Sequence, residues 1–355
     1  MSKKVKKIGI LTGGGDCPGL NPAIRGAVLH ARALGYECLG IQEGWKGMVN
    51  GDARPLGLAE VEDIVGKGGT ILGTSRTNPY KKEGGVEKTL AAFKKLGLDA
   101  LIAMGGEDTL GVAAKLYKEH KCAVVGVPKT MDNDLSATDF TFGFDTASTL
   151  AMEAAERLID TGRSHRRIMI LEVMGRHAGW VALYTAIAAG ADYVCLPERK
   201  VDVDDMAKKL KAAHARKGVA LVVASEALEM GEDSGMEELD EFGHMILKRR
   251  GVADKLTEFI EKRTGIETRC AVIGHMQRGG PPTLFDRILG MRVGVKAAEL
   301  VSEGKFGQMV ALRGNEVMGV PLEKATAELK TVSAEWLEFA DLVCAGKAKA
   351  KAAVS

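Results

Sequence analysis

Three glycine-flanked polar clusters and a scatter of arginines hold the side chains that could do chemistry in this chain. The first, Thr12-Gly13-Gly14-Gly15-Asp16-Cys17-Pro18-Gly19-Leu20-Asn21-Pro22, follows a short apolar run. Asn21 suits a helix N-cap, and Pro22 suits the first helical position, where a missing N–H costs nothing. Glycines leading into a helix N-terminus offer an anion both backbone N–H groups and the positive end of the helix dipole. A plain turn between strand and helix accounts for the same glycines. The spacing excludes two other phosphate loops: Pro18 stands where a dinucleotide fingerprint needs its third glycine, and no Lys-Ser/Thr follows Gly19.

The second cluster is Gly105-Gly106-Glu107-Asp108-Thr109. Two carboxylates beside a glycine turn can hold Mg²⁺ directly or through bound water. Acidic residues also favour the first turn of a helix, which explains one of them better than both. The third is Pro128-Lys129-Thr130-Met131-Asp132-Asn133-Asp134. If this segment is extended, Asp132 and Asp134 point the same way, one as general base and the other as metal support. An Asx-rich turn is the competing account. Basic residues then recur beside apolar runs: Arg76, Arg163 to Arg167, Arg176, Arg269, His275 and Arg278. Arginine at a strand end beside glycine suits charge-assisted, bidentate recognition of phosphate. These residues point to a phosphate-handling site using Mg²⁺ and carboxylates, with the substrate left open.

Such clusters need a scaffold that presents them together. Short apolar runs at Ile8–Leu11, Cys38–Ile41, Ala100–Met104, Ala123–Val127, Ile168–Val173, Val194–Leu196, Ala220–Ala224 and Ala271–Ile273 read as strands. Amphipathic stretches at Ala23–Leu34, Val86–Leu96, Thr146–Ile159, Val203–Arg216, Phe242–Lys262 and Phe285–Leu300 read as helices between them. Continuous apolar strands alternating with helices imply a parallel sheet covered on both faces, with ligands at the carboxyl ends of the strands. All three clusters fall directly after such strands. The chain's 355 residues exceed the roughly 250–300 at which one core stops growing, so two domains, or one large doubly layered domain, are expected. A net charge of +2 supplies no bulk field for nucleic acid or a membrane surface. The six cysteines are spread singly without a C-x-x-C pair, which suits a reducing cytoplasm. The apolar stretch Ala178 to Ala191 falls short of the ~20 residues of a membrane span.

The ordered motifs resemble those of the 6-phosphofructokinase family from about Lys6 to Lys330. GGGDCPGLNPAIRG is similar to the family's first phosphate loop and GGTILGTSR to its Arg-bearing loop; GGED, PKTMDND, RSHRR, EVMGRHAGW, SEA, ETR and GHMQRGG follow in the family's order. The resemblance implies an α/β fold of two similar Rossmann-like three-layer domains with mainly parallel sheets and the active site in the cleft between them. It implies a donor (diphosphate and Mg²⁺) domain over 1–143 plus 277–326, a sugar-phosphate domain over 144–276 plus 327–345, and a flexible tail over 346–355. It makes Asp132 the base that takes the proton from the sugar 1-hydroxyl, and puts Thr130 on the sugar and the transferred phosphate. Glu107 falls where relatives carry the acidic Mg²⁺ ligand, usually Asp, with Asp134 in support. Gly15 offers backbone N–H to the donor phosphates and Arg76 reaches the transferring group. Met174, Gly175, Arg176, Glu226, His275 and Arg278 line the sugar-phosphate pocket. Arg167 and Arg269 resemble the pair that reaches the 6-phosphate from a neighbouring subunit, implying a homodimer or homotetramer.

Two positions depart from the family's ATP-using pattern. Asp108 stands where a second small glycine is usual, and Lys129 where glycine precedes the catalytic threonine. A carboxylate at Asp108 would crowd and repel an ATP α-phosphate, and the Lys129 cation would stabilise a departing phosphate. Both match the pyrophosphate-using subgroup. The lysine occurs in some ATP-using relatives too, so Asp108 carries more of the inference. The basic effector cluster of regulated relatives is thinned to Arg216-Lys217, which disfavours allosteric control. The expected activity is phosphoryl transfer from pyrophosphate to fructose 6-phosphate in the cytoplasm, without nucleic acid or membrane partners. The rivals are an ATP-dependent 6-phosphofructokinase, a nucleotide oxidoreductase, which would explain neither PKTMDND nor GHMQRGG, and a catalytically dead sugar-phosphate-binding subunit, against which Asp132, Asp134 and Glu107 argue.

Overall fold

A computed structural model describes residues 6–229, 251–325 and 327–345. The strands are β1 (Lys7–Thr12), β2 (Glu37–Ile41), β3 (Ala53–Pro55), β4 (Ala100–Gly105), β5 (Val124–Pro128), β6 (Ile168–Val173), β7 (Tyr193–Cys195), β8 (Ala220–Ser225), β9 (Thr268–Val272), β10 (Gln308–Arg313) and β11 (Glu316–Pro321). The helices are α1 (Leu20–Ala33), α2 (Trp45–Asn50), α3 (Leu58–Val61), α4 (Gly85–Lys95), α5 (Glu107–His120), α6 (Phe144–His165) and α7 (Trp180–Ala189). Then come α8 (Val203–Lys217), α9 (Val252–Thr264), α10 (Leu284–Ser302), α11 (Leu322–Ala325) and α12 (Ala334–Ala345). The described chain forms two units. One gathers residues up to Thr146 with those from Arg278 to Leu329; the other gathers those from Ala147 to Gln277 and from Lys330 onward.

The first unit is built on a seven-stranded sheet in the order β11-β10-β5-β4-β1-β2-β3. Its centre is parallel, and only the outer pairings β10–β11 and β2–β3 are antiparallel. Strands β4 and β5 are buried along their whole length, as the continuous apolar runs require of a sheet covered on both faces. Leu11, Ile41, Trp45, Leu101, Leu110, Leu116 and Met309 share one core cluster. The Trp45 indole Nε1 donates to the carbonyl of Thr109 at 3.3 Å. Helices α1 and α10 meet nearly backbone to backbone, because a Cβ on Gly26, Gly290 or Gly294 would strike the facing main chain. At the start of α10, Asp286 Oδ2 accepts from the Thr146 N–H at 2.8 Å and from its hydroxyl at 2.6 Å, and the Thr283 hydroxyl donates to Asp145 at 2.6 Å. Two helix N-termini are thus capped against each other.

The second unit has a four-stranded, all-parallel sheet in the order β7-β8-β6-β9. Ile168, Ile170 and Val222 pack with Leu210 of α8 and Leu256 and Ile260 of α9. Their alternates Met169, Leu171, Leu221 and Val223 are equally buried, facing the side that α7 covers. There Trp180, Tyr184, Trp336 and Phe339 form an aromatic cluster that fastens α12 to α7.

Most expected elements are present within a residue or two, and Ile168–Val173 coincides with β6. Asn21 is not an N-cap. The helix begins two residues earlier than expected, at Leu20, with left-handed Gly19 as cap, and the Asn21 amide instead bonds Lys67 O and Gly68 O at 3.1 Å and the Ile71 N–H at 2.9 Å. The pattern also passed over α5, α7, α12 and the β10–β11 hairpin. The part of Phe242–Lys262 up to residue 250 and the tail 346–355 lie outside the described residues. No described helix is long and apolar enough to cross a membrane.

Candidate active site

Strand β1 delivers the chain into the glycine loop, and its neighbours tie that loop down. The Gly13 N–H donates to Met104 O at 2.9 Å and the Gly14 N–H to Ser75 O at 3.1 Å. The N–H groups of Gly13 and Gly14 therefore serve the protein itself, which corrects the expectation that the loop's glycines present them free. The Thr74 hydroxyl donates to Gly14 O at 2.6 Å, so the segment bearing exposed Arg76 lies against the loop. The Lys129 ammonium donates to Gly15 O. The Arg278 guanidinium packs where a Cβ on Gly15 would stand, so only glycine lets this arginine and the loop share the space. Gly15, Lys129 and Arg278 thus meet in one place, with Arg76 on the adjoining segment.

The carboxylates arrive on the neighbouring strands. Strand β4 ends at Gly105, and α5 opens with Glu107 and Asp108 in its first turn, a favourable place for negative charge. Strand β5 runs beside β4, and the Lys129 N–H donates to Gly105 O at 2.9 Å. The GGED and PKTMDND clusters therefore come together at the carboxyl ends of adjacent parallel strands. Beyond Lys129 the chain does not follow the extended alternative: Asn133 is left-handed at φ 52°, and its Oδ1 accepts from the Thr141 N–H at 3.1 Å. The chain bends at Met131 and Asp132, and left-handed Asn133 follows, which is nearer the Asx-rich alternative than an extended strand. It still gathers the carboxylates. The Asp132 N–H donates to the Thr130 hydroxyl oxygen at 3.1 Å, and the Thr130 hydroxyl also bonds Asp134.

Burial pushes the Asp134 carboxyl up to about 7, with the charges of Asp132 and Glu107 adding to the push and the Thr130 hydroxyl opposing it. Asp132 Oδ1 is buried with no hydrogen-bond partner, as a proton acceptor awaiting a substrate hydroxyl would be. Burial drives the Lys129 ammonium below its ordinary value, Cys17 opposing and Arg278 reinforcing the shift. Among the described residues no three His, Cys, Asp or Glu side chains are grouped as a ready metal cage. The donor set nonetheless suits Mg²⁺, which keeps several waters and binds through one or two carboxylates plus phosphate oxygens. Burial is the main cause of the Asp134 shift, and the lesser repulsion among Asp132, Asp134 and Glu107 is what a hard dication would relieve. Along α5 beyond Asp108 runs a cavity of about 530 Å³, lined by Glu107, Asp108, Gly111, Lys115, Lys118 and Tyr80 among others.

The second unit gathers five of the six expected acceptor residues beyond the carboxyl ends of β6, β8 and β9; the sixth, Arg278, belongs to the first unit and lies against Gly15. The Met174 N–H donates to Gln277 Oε1 at 2.8 Å, and the Gly175 N–H to Glu226 Oε1 at 3.4 Å. Gly175, at φ 146°, accepts at its carbonyl from the Ser225 hydroxyl at 3.0 Å. Arg176 follows half-buried, and His275 lies exposed on a 3-10 helix over Gly274–Arg278. Gln277, fully buried, also donates from Nε2 to Ala147 O at 3.2 Å. Sequence reasoning quoted it within GHMQRGG without giving it a role.

Arg167 and Arg269 are elsewhere. Arg167 precedes β6 while Met174 follows it, and seven residues of extended chain span about 23 Å. Arg269 sits beside Met169 near the same amino end. Both arginines pair with Glu267, a residue the sequence reading used only as a letter of ETR. One chain therefore does not bring this pair to its own Met174–Glu226 cluster.

A sequence model described as Phosphofructokinase matches residues 7–301. Over 342 residues the chain is 51% identical to a pyrophosphate–fructose 6-phosphate 1-phosphotransferase of Amycolatopsis methanolica, covering 95% of this chain and 99% of that one. It is 46% identical over 332 residues to ATP-dependent 6-phosphofructokinase 3 of Streptomyces coelicolor, covering 92% of this chain and 96% of that one. The structure of a pyrophosphate-dependent phosphofructokinase from Nitrosospira multiformis superposes with a TM-score of 0.81 over 93% of this chain and 86% of that one, at 21% identity. That last likeness is one of fold.

Proposed function

Since this chain belongs to the phosphofructokinase family, we propose that it transfers a phosphoryl group from inorganic pyrophosphate to the 1-hydroxyl of fructose 6-phosphate. The products are fructose 1,6-bisphosphate and phosphate, and the reaction is reversible. The observation that carries the choice of donor is the presence together of Asp108, in the first turn of α5, and Lys129, buried against Gly15 at the end of the neighbouring strand. The 49–51% identity to several pyrophosphate-using relatives, against 46% to an ATP-using one, supports it.

Asp132 takes the proton of the sugar hydroxyl at Oδ1 as that oxygen attacks the transferred phosphorus and the bond to the leaving phosphate breaks. Thr130 orients Asp132 and touches the transferring group. Lys129, Arg76 and the Gly15 N–H offset the charge on the diphosphate, and the buried Lys129 cation acts where water cannot screen it. Glu107 and Asp134 would hold Mg²⁺, which neutralises diphosphate charge when bound. Met174, Gly175, Arg176, Glu226, His275 and Arg278 hold the sugar phosphate. Arg167 and Arg269 reach its 6-phosphate from a neighbouring subunit of a homodimer or homotetramer, and their distance from Met174 within one chain supports this. The enzyme works in the cytoplasm.

The cavity beyond Asp108 leaves room for a larger donor. Discrimination against ATP therefore rests on the Asp108 charge more than on lack of space. Assay of purified protein with fructose 6-phosphate should give a higher kcat/KM for pyrophosphate than for ATP. The reverse order would make it an ATP-dependent 6-phosphofructokinase.

A further inference from the structure

Arg167 and Arg269 converge on a single carboxylate. Arg167 Nη2 donates to Glu267 Oε1 at 2.9 Å, while its Nε lies 2.8 Å from Oε2 as an ion pair, off the hydrogen-bonding line. Arg269 Nη2 donates to the same Oε1, and its Nη1 to Thr268 O at 2.9 Å. The carboxylate is anchored on the sheet: Glu267 O accepts from the Ile168 N–H at 3.0 Å, and β9 begins at the next residue. Two guanidinium groups alone would repel each other and splay. A shared anion holds them side by side, leaves a net positive charge, and uses few of the five N–H donors each carries.

We propose that Glu267 is a positioning residue for the acceptor phosphate, its carboxylate holding Arg167 and Arg269 together as one clamp for the phosphate group of a sugar phosphate. This rests on the reading above that the two arginines bind the 6-phosphate. Hydrogen bonding from Arg167, aided by the charges of Arg167 and Arg269, holds Glu267 below the usual carboxylate range against the opposing effect of burial. The tie is therefore ionised at neutral pH. Because Glu267 lies on the sheet edge rather than a mobile loop, it sets the spacing of the arginines before substrate arrives, which lowers the cost of ordering them on binding.

The test is steady-state kinetics of Glu267→Gln, Glu267→Asp, Arg167→Ala and Arg269→Ala, with the unfolding midpoint and oligomeric state of each. Glu267→Gln keeps the shape and removes the charge, so KM for fructose 6-phosphate should rise about tenfold, a loss of about 1.4 kcal/mol. Its kcat and KM for pyrophosphate should stay near wild type, which a merely structural defect would not allow. Glu267→Asp, with the charge kept on a shorter arm, should fall between and serves if the Gln variant does not fold or assemble. An unchanged or lowered KM for fructose 6-phosphate in a folded Glu267 variant, with the arginine variants raising it, overturns the positioning role; a lowered value would make Glu267 a competitor of the phosphate. If Arg167→Ala and Arg269→Ala both leave that KM unchanged, the assignment of the arginines to the sugar phosphate fails instead.

Discussion

The ammonium of Lys129 donates to the backbone carbonyl of Gly15, tying the end of β5 to the glycine loop after β1. A buried side chain thereby sits on the glycine loop, one strand away from the Asp108 carboxylate at the head of α5. Losing that tie loosens the loop and removes charge compensation together.

Donor preference should follow from these two residues. Lys129→Gly should lower pyrophosphate turnover, on the scale of the few kcal/mol, about 10²-fold in rate, that a preorganised charge contributes. Asp108→Gly should raise ATP use, and Asp108→Asn should raise it nearly as much, because the cavity along α5 is already present and only the charge needs removal. The measurement is kcat/KM for each donor. The double variant should shift the donor ratio further than either single change, though not additively for neighbours. If Asn at 108 leaves the ratio unchanged while Gly shifts it, crowding governs the choice rather than charge.

Asp132→Asn should lower kcat by about 10²–10⁴-fold, the usual contribution of a well-placed general base, with KM for fructose 6-phosphate little changed. The motive is its buried, unpartnered Oδ1. Turnover close to wild type would move the base role to another carboxylate of the cluster.

Complementation should reveal a shared acceptor site. At limiting fructose 6-phosphate Arg269→Ala and Asp132→Asn should each show strongly reduced activity, yet mixed oligomers contain some sites with both residues intact. Activity should reappear once subunits have exchanged. Its absence after demonstrated exchange would confine the site to one chain.

Stability should carry the imprint of Asp286. Burial pushes this carboxyl up to about 6 from its ordinary 3.8, against the opposing hydrogen bonds from Thr146. The folded state holds the proton more tightly than the unfolded one, so stability is greater below that window and falls as pH rises through it. At about 1.4 kcal/mol per pKa unit the full span is about 3 kcal/mol. Denaturation midpoints between pH 4 and 7 should therefore decline more steeply for wild type than for Asp286→Asn. Parallel curves would assign the slope to other groups.

The sheet was legible because its strands are apolar along their whole length, which no surface segment can afford. The position of the GGED and PKTMDND clusters at strand ends followed from that. What escaped notice was local. Asn21 reads as a cap only if Gly19 is ignored, yet Gly19 at φ 109° lies against Phe142, where a Cβ would clash. Alternation would set Asp132 and Asp134 on one side only of an extended segment; the left-handed Asn133 between them breaks it, in line with the Asx-rich reading that the spacing slightly favours. The β10–β11 hairpin had a usable signal: Gly314 and Asn315 lie between the paired residues Arg313 and Glu316. The side-chain partners of Glu267 and Gln277 lie 100 or more positions away in the chain or, for Arg269, two positions off on a strand. Linear spacing cannot display either relationship.

The placement of the three tryptophans divides the molecule's optical signal. Trp45 is the sole tryptophan of the first unit, buried in its core and hydrogen-bonded to the residue after Asp108. Trp180 and Trp336 belong to the second, with ring centroids 6.1 Å apart. The first is a lone emitter beside the donor carboxylates, and the second pair is an exciton-coupled chromophore set in the α7–α12 seam. Intrinsic fluorescence of a chain carrying Trp180→Phe and Trp336→Phe therefore watches the first turn of α5 alone. The near-ultraviolet circular dichroism of the unaltered chain, by contrast, is weighted toward the seam where the C-terminal helix docks.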